Sequence, residues 1–219
     1  IKLSGPSGCG KSTLVNMLSK TILFAYGCDP SDRGLVVFTN IDENYESTIH
    51  PSHKGIVADD VCNNKNRKPN YDRLLNYNNT VPRPLEKADV KEKGVLYPGN
   101  NFMMVTTNDI TLRATECSVC PESILRRFDL DVVVTVRPEF RNEFGGLIKM
   151  SHPRYDIYEF TLKRFRSITA EGDIEWETVP RSEWNPDGTV DRDLAALTKF
   201  VATDVAKHRV RVAAQAKAQ

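Results

Sequence analysis

The eight residues from Gly5 to Ser12 restrict the possible folds of this 219-residue chain more than any other segment. They read Gly-Pro-Ser-Gly-Cys-Gly-Lys-Ser, which fits the pattern G-x-x-x-x-G-K-S. Apolar residues predict a short strand over 1–4, and the apolar spacing after the segment predicts a helix over 13–20. A glycine-rich turn between a strand and a helix points backbone N–H groups at a bound anion. The segment therefore predicts a site for the phosphates of a nucleotide.

Two side chains of this phosphate loop (Gly5–Ser12) carry specific chemistry. Lys11 is expected to neutralise the β- and γ-phosphates, and the Ser12 hydroxyl is expected to bind Mg²⁺. The alternative is a glycine-rich turn without a ligand, but the strand and the helix on its two sides favour a nucleotide site. The predicted nucleotide-binding residues are Gly5, Pro6, Ser7, Gly8, Cys9, Gly10, Lys11, Ser12 and Thr13.

Polar side chains follow two later apolar strands. Asp59 and Asp60 come directly after the run Gly55–Ala58, and Asn108 comes shortly after Phe102–Val105. We predict that Asp59 holds Mg²⁺ through its waters, that Asp60 polarises the attacking water, and that Asn108 places an amide near the γ-phosphate. Solvated strand-end acids and a turn-forming asparagine are the alternatives. The order of phosphate loop, acid pair and polar strand end favours the site.

Arg126 and Arg127 end a predicted short helix over Pro121–Arg127. Adjacent helical residues point about 100° apart, so the two arginines are expected to have different roles. One is a candidate arginine finger, which stabilises transition-state charge on a nucleotide held by a neighbouring subunit. A cation that pairs with the helix dipole or with Asp129 explains the same spacing, and the spacing alone leaves both interpretations open.

The apolar pattern predicts an α/β fold. Short apolar runs without alternation occur at Ile1–Ser4, Leu35–Phe38, Gly55–Ala58, Phe102–Val105 and Val132–Val136. Separated by helical segments, such runs are typical of a parallel sheet with helices on both faces. One of the expected helices covers Pro84–Lys93 and ends at Gly94. We assign residues 1–150 to this core.

Residues 151–219 have a different character and are predicted to form a C-terminal extension. Apolar and polar residues alternate over 157–165 and over 174–179, which predicts a pair of half-exposed strands. Asp191 is expected to cap a last helix. The predicted extension is therefore a strand pair followed by a terminal helix.

Charge and cysteine content exclude several classes of protein. Lys and Arg total 30 against 29 Asp and Glu, so any contact with nucleic acid must come from a local patch. No apolar run approaches the ~18 residues of a membrane span. The 5 cysteines favour a reducing compartment, and Cys117 and Cys120 lack the further ligands that zinc needs. A chain that opens on Ile1 is expected to be a piece of a longer chain or polyprotein.

Four segments together resemble the superfamily 3 helicases of positive-strand RNA viruses. They are GPSGCGKS, GIVADD, KADVKEKGVLYPGNNFMMVTTND and SILRRFDLDV, and they cover roughly residues 1–140. They are similar to the NTPase/helicase in the non-structural polyprotein of picorna-like viruses. The wording CSVCPESILRRFD resembles the dicistrovirus and iflavirus side more than the enteroviruses. The resemblance implies a AAA+-type P-loop NTPase that assembles as a ring, commonly a hexamer.

The resemblance also implies roles for individual residues. By their positions in the motifs, these are Lys11 and Ser12 for Walker A, Asp59 and Asp60 for Walker B, Asn108 for the motif C sensor, and Arg126 and Arg127 for the arginine finger. Lys93 and Gly94 match a segment that, in the family, lies near a central channel and touches nucleic acid. Lys87 and Lys91 are weaker candidates, because a solvated basic helix face explains them equally well.

The expected activity is hydrolysis of ATP or another NTP with Mg²⁺, coupled to unwinding of RNA or translocation on it during viral RNA replication. Expected partners are single-stranded RNA, copies of this chain and other viral replication proteins. The expected location is the host cytoplasm at membrane-associated replication complexes, with membrane contact through flanking segments alone. An NTP-dependent RNA-binding or assembly module without processive unwinding is the main alternative. A small-molecule phosphotransferase is disfavoured, because the acidic, amide and arginine series suits a water nucleophile.

Overall fold

A computed structural model of the chain describes residues 1–79, 81, 83–150, 154 and 156–217. The strands are β1 (Lys2–Ser4), β2 (Val36–Thr39), β3 (Gly55–Val61), β4 (Phe102–Thr107), β5 (Asp131–Val136), β6 (Tyr158–Ile168) and β7 (Ile174–Thr178). The helices are α1 (Lys11–Ala25), α2 (Tyr71–Tyr77), α3 (Ala114–Cys117), α4 (Pro121–Leu125), α5 (Arg181–Trp184) and α6 (Asp193–Lys217). Single turns of 3-10 helix cover Arg33–Leu35, Pro138–Phe140 and Val190–Arg192.

The strands of the described residues form one sheet in the order β2-β3-β4-β1-β5-β6-β7. Neighbouring strands from β2 to β5 are parallel, whereas β6 and β7 are antiparallel additions at one side. The predicted α/β class with a central parallel sheet is therefore confirmed. Because β6 and β7 continue this sheet, the C-terminal strands pack as part of the same body. The division at residue 150 stays a prediction, and residues 151–153 beside it lie outside the described residues.

Two apolar layers cover the two faces of the sheet. Helices α1 and α6 pack on one face, where Leu14 and Leu197 belong to the same buried cluster. Helices α2 and α4 pack on the other face, where Leu74 and Leu125 are buried together. Successive side chains of a strand point to opposite faces, and both faces are covered. This is why the central strands are apolar without alternation. Within the described residues, no helix is long and apolar enough to cross a membrane.

The prediction of a helix over Pro84–Lys93 is wrong. The segment is irregular, with Leu85 and Lys87 buried, Glu86 between them exposed, and the backbone N–H of Lys87 donating to Leu85 O at 3.1 Å. The backbone N–H of Leu85 donates to Leu96 O at 2.7 Å, and the Lys87 ammonium donates to the carbonyl oxygens of Ser47 (3.2 Å) and Ile49. These tertiary contacts outweigh the weak helical preference of the segment. The last helix also differs, since α6 begins at Asp193, two residues after the predicted cap at Asp191.

A buried ion pair lies between β1 and β5. Lys2 and Asp131 are both fully buried, and their charged atoms are 3.3 Å apart. The Lys2 ammonium also lies 4.8 Å from the ring centre of Trp176 and 5.5 Å from that of Phe128. Burial raises the pKa of Asp131 to about 6 and lowers the pKa of Lys2. Each of the two buried charges is therefore compensated by the other, and removal of either residue would leave its partner's charge uncompensated.

Candidate nucleotide site

The phosphate loop is shaped by close backbone approaches. It starts where β1 ends and closes where α1 begins. At Gly5, a Cβ atom would lie 2.3 Å from the carbonyl oxygen of Val134 in β5. Gly10 has a φ of +91°, and a Cβ atom there would lie 2.4 Å from the Tyr158 hydroxyl. Glycine is required at both positions, so the pattern of the sequence has a direct structural cause.

The start of α1 is suited to an anion. Gly10 is the N-cap residue and offers no side-chain hydrogen bond, and the first turn contains no acidic residue. The Ser12 and Thr13 side chains are exposed there. An uncapped helix start leaves backbone N–H groups and the positive end of the helix dipole for a ligand. Cys9 is fully buried beneath the loop, and burial raises the pKa of its thiol, so it contributes packing rather than charge.

Lys11 connects the phosphate loop to the end of β4. Its ammonium donates to Gly5 O at 2.9 Å, to Pro6 O at 3.0 Å and to the Asn108 Oδ1 atom at 2.8 Å. Asn108 in turn donates from its Nδ2 atom to Asn63 Oδ1 at 3.1 Å. The structure thus brings together the predicted lysine and the predicted sensor. Asn63 was not singled out from the sequence, because a lone asparagine in a polar loop carries no distinguishing pattern.

The acid pair lies on a β-bulge. Ala58 and Val61 of β3 pair with Val105 and Thr107 of β4, so Asp59 and Asp60 together oppose the single residue Thr106. The Thr106 hydroxyl donates to the Asp59 carboxylate and accepts the backbone N–H of Asp60 at 2.8 Å. Asp60 has a φ of +52°. The bulge re-aims the two acids, leaving Asp59 half-buried and Asp60 exposed at the same sheet edge as the phosphate loop.

The residues fit a magnesium ion bound together with a nucleotide. Mg²⁺ takes oxygen ligands, keeps several waters and is usually held by one or two carboxylates plus substrate phosphates. The Ser12 hydroxyl and the Asp59 carboxylate can both supply oxygen ligands of this kind. In the part of the chain that the structure describes, no cluster of three or more His, Cys, Asp or Glu side chains forms a metal site by itself.

Residues 1–109, about half of the chain, match the family model described as RNA helicase. The chain belongs to the superfamily 3 RNA helicases of RNA viruses. The matched segment contains the phosphate loop, Asp59, Asp60 and Asn108, and it ends before Arg126. No curated protein matches the chain. The assignment of this helicase to the dicistrovirus and iflavirus side stays a prediction.

The two candidate fingers of the helicase lie just beyond α4. Arg126 is exposed, whereas Arg127 is half-buried and its backbone oxygen accepts a hydrogen bond from Asn78 Nδ2 at 3.2 Å. Among the described residues, no hydrogen bond or ion pair joins either side chain to the phosphate loop or to Asp129. Of the two, Arg126 is the more accessible to a second subunit.

The nucleic-acid candidates of the helicase lie on the segment between α2 and β4. Lys91, Lys93 and Gly94 are exposed in a series of turns, and Gly94 has a φ of +77°. Lys87 is 3% exposed and its ammonium faces Ser47 and Ile49, with Glu92 at 3.9 Å. Its assignment to nucleic acid is therefore corrected, because a buried ammonium bound to carbonyl oxygens holds the loop in place instead of facing a channel.

Proposed function

We propose that this helicase hydrolyses ATP or another NTP with Mg²⁺ and couples hydrolysis to unwinding of RNA or translocation on it. Family membership supports an NTP-dependent helicase of viral RNA replication. The observation that carries the proposal is the contact of 2.8 Å between the Lys11 ammonium and Asn108, with the Asp59–Asp60 bulge on the adjacent strand. A phosphate-binding lysine, an amide and two acids meet at one edge of the sheet, as hydrolysis of a terminal phosphate requires.

Each residue of this edge has a defined chemical task in the proposal. The partners of Lys11 are neutral carbonyl and amide oxygens, and phosphate oxygens are stronger acceptors because they are charged. The Lys11 ammonium therefore transfers from the loop to the β- and γ-phosphates when a nucleotide binds. The exposed Asp60 carboxylate orients water and takes up its proton. Asn108 donates to the oxygens that gain charge, and bound Mg²⁺ supplies further neutralisation.

Assembly of several copies completes the proposal. An arginine finger that acts in trans needs a neighbouring active site, and Arg126 is exposed where a neighbour can be reached. We propose a homo-oligomeric ring, commonly six subunits in the family, with Lys91, Lys93 and Gly94 on the RNA path. Other viral replication proteins, and membranes reached through flanking segments, are proposed to place this ring in replication complexes of the host cytoplasm.

The test is NTP turnover per subunit against protein concentration, with and without single-stranded RNA. We expect turnover to rise with both, and Lys11→Ala to abolish hydrolysis. Lys20→Ala is the matched control, because Lys20 is an exposed lysine on the same helix. Wild-type hydrolysis by Lys11→Ala would refute the nucleotide site. Turnover that is flat against concentration and RNA would refute the ring helicase while leaving the nucleotide site intact.

A further inference from the structure

A tight turn after β5 lies against the phosphate loop on the side opposite the acids. The backbone N–H of Leu147 donates to Gly8 O at 3.1 Å. A Cβ atom on Gly146 would lie 3.0 Å from Ser7 O, and one on Gly145 would lie 3.6 Å from the Pro6 ring. These short approaches place the Asn142 turn, defined here as residues 141–147, in direct contact with the phosphate loop.

The Asn142 turn is held in shape by hydrogen bonds of Asn142 itself. Its Oδ1 atom accepts the backbone N–H groups of Phe144 at 3.0 Å and Gly146 at 2.9 Å. Its backbone N–H donates to Gly146 O at 2.8 Å, and its Nδ2 atom donates to Leu147 O at 3.4 Å. The ring of Phe144 is left at the tip of this turn, and 82% of the residue is exposed. A fixed backbone thus presents an apolar ring to solvent beside the phosphate loop.

The order of the strands sets the direction in which a nucleotide leaves the loop. Strands β4 and β3, which carry Asn108 and the acid pair, lie on one side of β1, and β5 lies on the other. The terminal phosphate must face Asn108 and the acids, since they act on it. The nucleoside end therefore extends toward the loop that follows β5, at the carboxyl edge of the parallel strands.

We propose that the Phe144 ring is the stacking platform for the nucleobase of the bound NTP. The inference rests on the proposed function, because it requires a nucleotide on the phosphate loop. Stacking on an aromatic ring tolerates every base, since each base has a π-face. Both lone pairs of Asn142 Oδ1 are used by the turn itself, so this amide oxygen does not read a base edge. The platform therefore binds adenine and guanine nucleotides with similar affinity.

Calorimetric titration of the full chain with non-hydrolysable analogues of ATP and GTP and with inorganic tripolyphosphate, each with Mg²⁺, tests the platform. Phe144→Ala should weaken ATP and GTP to the same extent, by about 5- to 30-fold, the lower part of the range that base stacking gives. Tripolyphosphate has no base, so its Kd should not change. Phe144→Tyr should retain wild-type affinity. Phe24→Ala is the matched control, since Phe24 is 73% exposed but lies on α1 away from the turn.

Three results would overturn the platform. The first is unchanged affinity of Phe144→Ala for both nucleotides. The second is a loss of tripolyphosphate affinity equal to the loss of nucleotide affinity, which would indicate a distorted phosphate loop. A loss of single-stranded RNA affinity with unchanged NTP affinity would assign the ring to RNA instead. Lys11→Ala distinguishes failure of the Phe144 platform from failure of the proposed function. If nucleotides bind the phosphate loop, this variant must bind both tripolyphosphate and ATP more weakly than the wild type.

Discussion

Substitution of Thr106 by valine tests how the acid pair is held. Thr106 is 1% exposed, and its hydroxyl both donates to the Asp59 carboxylate and accepts the N–H of Asp60. Valine has nearly the same shape and suits a strand, so the change removes these two hydrogen bonds and leaves the backbone N–H of Asp60 without its side-chain acceptor. The Asp59 carboxylate is then free to rotate, and the left-handed backbone at Asp60 loses its side-chain support. We expect magnesium binding and hydrolysis to suffer together.

The expected size follows from the charge on the acceptor. A hydrogen bond to a charged group contributes about 1.5–3 kcal/mol, and about 1.4 kcal/mol corresponds to a tenfold change in rate. If the bond serves to position Asp59, turnover at saturating NTP should fall by about 10- to 100-fold. Any part of this free energy that serves to hold Mg²⁺ should instead raise the Mg²⁺ concentration for half-maximal turnover, so the two factors should multiply to about 10- to 100-fold. Thr106→Ser keeps the hydroxyl and should recover most of the activity.

Thr107→Val is the matched control for this experiment. Its hydroxyl is equally buried but donates to the backbone oxygen of Val61 at 2.8 Å and accepts the backbone N–H of Asp109 at 3.0 Å, so its loss should lower the free energy of unfolding without changing the magnesium requirement. The assay is steady-state NTP hydrolysis over a Mg²⁺ titration, with urea denaturation to compare stabilities. Equal effects of the two valines on magnesium dependence, or wild-type turnover in Thr106→Val, would refute the positioning role.

Two further predictions concern the arginines and the buried ion pair. Arg126→Ala should retain nucleotide affinity and lose about 10³- to 10⁵-fold of turnover, and mixing it with Lys11→Ala should restore part of the activity if the finger acts between subunits. Loss of turnover in Arg127→Ala alone would assign the finger to Arg127. Lys2→Met should lower the free energy of unfolding by about 3–5 kcal/mol, while the double variant Lys2→Met with Asp131→Leu should recover most of it. Because burial raises the pKa of Asp131 to about 6, the folded chain holds this proton more tightly than the unfolded chain. The Lys2 ammonium lowers this pKa, so its removal raises the pKa of Asp131 further. Stability of Lys2→Met should therefore fall as the pH rises from about 4 to 6 and beyond, and urea denaturation without that trend would contradict the reasoning.

The central strands were predictable because their signal is local. Five unalternating apolar runs gave β1 to β5, since strands covered on both faces need apolar side chains at every position. The glycine pattern likewise located the phosphate loop. The non-helical segment that begins at Pro84 was not predictable in this way, because the ammonium of Lys87 and the backbone N–H of Leu85 are satisfied by residues distant in the chain. Helix α2 was not predicted because its local signal is too weak. Its 7 residues are too few to show a clear helical period.

The site was predictable in the residues that belong to motifs and not in those that contribute through strand register or loop contacts. A lysine after glycines and an acid pair after an apolar run are recognisable chemistry. Thr106 contributes through the register of β3 on β4, and Asn63 contributes through a contact between two loops. The spacing of residue types in the sequence indicates neither contact. One extra residue in β3 turns Thr106 from an ordinary strand residue into the common partner of Asp59 and Asp60. Register arises from tertiary packing, so it lies beyond any local pattern.

The phosphate loop is held from both sides, and this bears on how a nucleotide changes the molecule. On the β4 side the Lys11 ammonium binds Asn108, and on the β5 side Gly8 O accepts the N–H of Leu147. The second contact uses only backbone atoms and leaves the charged groups unaffected, so it persists when phosphate binds. The first contact uses the side chain that phosphate attracts most strongly. In the proposed mechanism, nucleotide binding therefore acts on the Asn108 side, where the proposed hydrolytic residues lie, while the β5 side stays as a fixed support.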